Sequence, residues 1–168
     1  RRDTTAVTTS RTVFPLTDDY DLVSSQLTKA ADALRGVESQ DDIDKMSDKD
    51  YQKIADWLEG TQNRKNSTSL IGDGLVSCAA MIPGFAYGDT SGAARQRPAS
   101  IVLATDNVAS GTPTYSLAQA LDMAEASHIS VDGLFSGPRQ SEGDATTTEM
   151  KQQIESRGGT FLTQSGSS

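Results

Sequence analysis

Residues 101–113, IVLATDNVASGTP, decide how the chain is read. The run from Ile101 to Ala104 is continuously apolar, the pattern of a strand buried on both faces of a parallel sheet. It stops at Thr105, Asp106 and Asn107 and gives way to small polar residues. In an open parallel sheet, the loops at the carboxyl ends of the strands line the binding crevice. Asp106 is therefore expected where a ligand or an ion would be held.

Working outward, Leu117, Leu121 and Ala124 space a helix over about 115–127, and ISVDGLF over 129–135 supplies the next strand. Thr146 and Glu149 form a capping-box pattern ahead of Met150 and Ile154, Gly158-Gly159 ends that helix, and a strand follows at 160–163. Upstream, Leu70, Ile71, Leu75, Cys78, Ala79 and Ile82 fit one side of a helix closed by Pro83 and Gly84. Gly72 and Gly74 would let its first turn approach another backbone closely. Residues 85–98 have no period and are expected to form a mobile loop.

The first third is helical in pattern. Val23, Leu27, Ala30, Ala31 and Leu34 mark one amphipathic face, stopped by Gly36. Residues 38–46 are expected to be a charged surface connection. Ser47 and Asp50 then make a capping signal for a helix carrying Tyr51, Ile54, Ala55 and Leu58, ended by Gly60. Residues 11–17 suggest a short edge strand stopped by Pro15, because proline cannot donate to a sheet ladder. The Thr-rich residues 1–10 are expected to fray, and 164–168 have the composition of a flexible tail. Alternating strands and helices predict an α/β fold, a mostly parallel sheet with helices on its faces.

Composition narrows the classes of function. The chain has 168 residues, the size of a single domain with a core of its own. Its net charge of −8 and scattered basic residues argue against a nucleic-acid partner, whose binding depends on clustered Lys and Arg. No run reaches the ~18 apolar residues of a membrane span. One cysteine, Cys78, and one histidine, His128, rule out an intramolecular disulfide and a His/Cys zinc site. Cys78 reads as a packed thiol, and His128 as the residue after a helix carboxyl end.

The order of FPLTDDYDLVSSQL, STSLIGDGL, IVLATDN…GTP, ISVDGLF and EMKQQIESRGGTFL resembles the von Willebrand factor A domain, above all its bacterial, often membrane-associated members. The resemblance covers roughly residues 11–163. It implies a Rossmann-like, three-layer αβα fold and a metal-ion-dependent adhesion site at the carboxyl edge of the sheet. In that family three loops hold a divalent cation, usually Mg2+, with Mn2+ or Ca2+ as substitutes. The third loop's aspartate matches Asp106. The second loop's pattern, Thr-x-Ile/Thr-Gly, aligns with Ser69-Leu70-Ile71-Gly72, so Ser69 takes the hydroxyl position with Thr68 beside it. Such a hard cation suits carboxylate, hydroxyl and water oxygens.

The resemblance implies a protein-binding or adhesion module without enzymatic activity, extracytoplasmic or attached to a cell envelope. Its protein ligand would supply an acidic side chain. The chain departs from the family in one respect: the first metal loop, Asp-x-Ser-x-Ser, and the strand before it do not occur in the sequence. The domain is therefore expected to be incomplete at its amino end and its cation site incomplete or degenerate. Asp106 could instead simply cap a turn, and Ser69 and Thr68 could cap a helix. The competing function is a nucleotide-binding or hydrolase-like α/β domain, motivated by GDGLVS at 72–77. That stretch has Ser77 where a dinucleotide fingerprint needs its third glycine.

Overall fold

The computed structural model describes residues 4–7, 12–37, 40–57, 70–85, 98–163 and 165. Two strands, β1 (Thr4–Val7) and β2 (Thr12–Thr17), precede three helices: α1 (Tyr20–Ala33), α2 (Gln40–Asp44) and α3 (Asp48–Trp57). Then follow α4 (Ile71–Ala80), β3 (Ala99–Thr105), α5 (Leu117–Ala126), β4 (Ile129–Phe135), α6 (Ala145–Glu155) and β5 (Phe161–Leu162), with a 3-10 turn at Arg139–Ser141.

Strands β3, β4 and β5 form a parallel sheet in that order, with Ile101 opposite Val131 and Gly133 opposite Phe161. Each crossover carries a helix, as parallel pairing demands. Leu75, Val76 and Ala79 of α4, Leu121 and Ala124 of α5, and Met150 and Ile154 of α6 bury themselves with Ile101, Val131, Phe135 and Phe161 in one core. Removing each of the larger of these side chains from water contributes about 1.5–3 kcal/mol before entropy is counted. Gly133 lies under this layer. A Cβ there would meet Ile154 Cδ1 at 2.6 Å and Phe161 Cδ2 at 2.7 Å, so a side chain at this position would force Ile154 and Phe161 to shift.

The expected α/β class is therefore present: a parallel sheet flanked by helices, compatible with a Rossmann-like three-layer arrangement. The expectation that β3 is buried on both faces is corrected. Its burial alternates: Ile101 is buried, whereas Val102 is 67% exposed. Leu134 and Leu162, on the same side of the sheet as Val102, are also exposed. An apolar run can thus hold a half-buried strand when the period-two pattern is masked by Val and Ala on the outer face.

Several boundaries differ from the sequence reading. Thr4–Val7 pairs antiparallel with β2, so part of the expected frayed segment is a strand. β2 runs through Pro15 to Thr17, which an edge strand tolerates. Gln40–Asp44, expected as a connection, forms a short helix with two acids in its first turn, where the helix dipole favours them. Leu27 does not lie on a packed face: it is 62% exposed, and Ala33 is the buried residue of α1. Helix α6 starts at Ala145 behind Asp144, so Thr146 and Glu149 sit inside it rather than boxing its end. Thr147 is buried and donates its hydroxyl proton to the Ser141 carbonyl, 2.8 Å.

Candidate functional site at the carboxyl edge of the sheet

Thr105 is the last residue of β3, and its hydroxyl oxygen accepts the Asn107 N–H at 3.0 Å. Its carbonyl accepts the Ser136 N–H at 2.9 Å, tying the end of β3 to the exit of β4. Asp106 follows, exposed at this edge, and its Oδ1 accepts the Val108 N–H at 3.0 Å. This is the turn-capping role aspartate often takes.

Asn107 turns the chain with φ of 58°, a left-handed conformation that asparagine tolerates better than most residues. Its Nδ2 donates to the Thr146 carbonyl in the first turn of α6, 3.0 Å away. The loop then runs through exposed residues 108–114, with Gly111 at φ of 89°, before reaching α5. Ser116 caps that helix: its Oγ accepts the Gln119 N–H while the Gln119 side chain accepts the Ser116 N–H.

Asp73, in the first turn of α4, was not singled out by sequence. Its Oδ2 accepts the Thr114 N–H at 3.0 Å and its Oδ1 the Tyr115 N–H at 2.9 Å. An acid early in a helix ordinarily reads as a partner of the helix dipole, which is why its distant hydrogen bonds escaped notice. The signal that could have found them was Gly72 next door. A Cβ on Gly72 would lie 2.7 Å from the Ser116 carbonyl carbon and closer still to the Tyr115 carbonyl oxygen. The expected close approach is real, and what approaches is the loop after β3.

The edge thus joins the start of α4, the loop after β3, the exit of β4 and the start of α6. Asp106 lies within it as expected. Ser69 and Thr68 fall outside the described residues, as does most of the loop expected over 85–98. Thr112 is exposed in the same loop as Asp106. His128 follows α5 at φ of 55°, its N–H bonded to the Glu125 carbonyl at 2.9 Å, a helix-ending position. Burial pushes the Cys78 thiol above its ordinary pKa, which fits packing rather than nucleophilic chemistry.

Among the described residues, no three His, Cys, Asp or Glu side chains gather closely enough to hold a metal ion. Both Asp73 oxygens accept backbone N–H groups, and Asp106 is the carboxylate of the loop after β3, with its Oδ1 on the Val108 N–H. These donors by themselves do not fit a magnesium cage, since the ion gives up water reluctantly and needs several protein oxygens. A groove of about 940 Å³ lies elsewhere along α6 and β5, lined by Glu142, Lys151, Glu155 and Phe161, and Asp106 takes no part in it. No helix among the described residues is long and apolar enough to cross a membrane. In comparison with known proteins, no family model, no curated protein and no solved structure matches the chain.

Proposed function

We propose that the chain is a protein-binding module of the von Willebrand factor A type that meets its ligand at the carboxyl edge of the parallel sheet. The observation that carries this reading is Asp106: exposed, at the end of β3, in a loop pinned to both α4 and α6. A loop fixed at both ends presents its side chains with little ordering left to do on binding, which favours recognition. In this reading a divalent cation, Mg2+ or its substitutes Mn2+ and Ca2+, is held by Asp106 with Ser69 and Thr68. These groups alone would hold it weakly, because the ion gives up water reluctantly and needs several protein oxygens. The protein ligand contributes an acidic side chain, and the setting is extracytoplasmic or at a cell envelope.

The competing nucleotide-binding reading draws no support from the glycines. The side of Gly72 left open by its missing Cβ is filled by the Tyr115 and Ser116 backbone, so an intramolecular contact accounts for this glycine. Calorimetric titration of Mn2+ into the protein and into Asp106→Ala tests the proposal. Weak binding in the parent that the substitution abolishes, with the melting temperature nearly unchanged, is the expected result. Equal uptake by both proteins would overturn the assignment of Asp106, and saturable nucleotide binding would overturn the module reading.

A further inference from the structure

The geometry points to Asp73 as a positioning residue that sets the conformation of the Asp106 loop from the neighbouring helix. The inference rests on the carboxyl edge being the contact face, and deepens that reading by naming what holds the face in shape. Three observations converge. Each carboxylate oxygen of Asp73 takes one of two consecutive N–H groups, Thr114 at 3.0 Å and Tyr115 at 2.9 Å. Gly72 lets the Tyr115 and Ser116 backbone rest directly on the first turn of α4. At the loop's other end, Asn107 hydrogen-bonds the Thr146 carbonyl at 3.0 Å.

Between those two anchors, residues 108–113 are exposed. Their shape is decided at the ends. Hydrogen bonds to a charged acceptor are stronger than neutral ones, and a carboxylate matches two parallel donors that an amide or a methyl cannot. The partners of the Asp73 carboxylate are main-chain N–H groups of the loop. Asp73 acts through the backbone of 114–115, and through it sets where the loop that carries Asp106 stands relative to the first turn of α4.

Amide hydrogen exchange resolved by residue, with the melting temperature and Mn2+ titration measured on the same proteins, tests this in Asp73→Ala and Asp73→Asn. Asp73→Ala should speed exchange at Thr114 and Tyr115 about tenfold, and Asp73→Asn, whose amide oxygen still accepts one N–H, about threefold. Exchange at Val131 and Ile154 in the core should stay as in the parent, and any Mn2+ uptake should weaken in the same order. Unchanged loop exchange in Asp73→Ala would overturn the assignment. So would acceleration spread evenly over loop and core, which marks a merely structural residue. If the parent takes up no Mn2+, the cation reading falls, and the exchange comparison still decides the role of Asp73.

Discussion

Helices α1 and α3 and helices α4, α5 and α6 come from similarly periodic sequence, yet they are held by different means. In α1 and α3 the buried apolar residues are Ala33 and Ile54, while Tyr20, Leu27 and Tyr51 stand exposed. Their recorded ion pairs and caps are local: Arg35 with Asp32, Lys53 with Asp50, and Ser47 with Asp50. Exposed pairs of this kind contribute only about 0–1 kcal/mol each. Around the parallel sheet, by contrast, Leu75, Leu121, Met150 and Ile154 are 2% exposed or less. Even the ion pair there, Arg157 with Asp122 at 2.6 Å, joins α6's end to α5 across 35 positions of sequence. Periodicity makes both helix sets; burial against strands decides which of them carries the fold.

The sharpest way to break this comparison is a matched pair of truncations. Phe135→Ala, in the core, should cost about 3–5 kcal/mol in denaturant unfolding. Leu27→Ala should change stability by less than about 0.5 kcal/mol. Equal losses would mean that α1 shares the core of the sheet.

Next in size is the contact between α4 and the loop it supports. Gly72→Ala drives a methyl into the Tyr115 and Ser116 backbone and should cost about 2–3 kcal/mol by the same measurement. A neutral result would show that the loop can shift away freely, separating the edge from the core.

The smallest effect belongs to the local side of the comparison. The side-chain hydrogen bond from Lys53, followed by that from Ser47, holds the Asp50 carboxyl below its ordinary pKa. A carboxyl lowered on folding contributes stability above its unfolded pKa, and that contribution is lost as pH falls through the folded value. Acidification below about pH 4 should therefore loosen the start of α3, seen as loss of helical circular dichroism, and Asp50→Asn should remove that part of the acid response. Loss of the sheet core over the same interval would contradict the separation drawn here.

The legible parts of the sequence were those where local pattern and tertiary burial agree. ISVDGLF reads as a strand over 129–135 and forms one over those same residues. Leu75, Ala79 and Ile82 read as one helical side and are buried together. Leu27 misled because a helical repeat shows which residues share a face and not whether anything covers it. The Thr146–Glu149 pair misled because Asp144, two residues earlier, starts the helix. At the candidate site, Asp106 was legible as a polar stop to an apolar strand. Asp73 was not, because its partners lie 41 and 42 positions away and are backbone groups, which leave no signature in side-chain pattern.

Cys78 shares α4 with Asp73, packs partly against the core, and has its thiol made less acidic by that environment. A thiol so placed is slowed toward alkylating reagents, since the thiolate is the reactive form, and becomes more accessible if the helix lifts from its seat. As the one cysteine of the sequence, it is a built-in reporter: a change in its labelling rate reads a change in the seating of the very helix on which the loop after β3 rests.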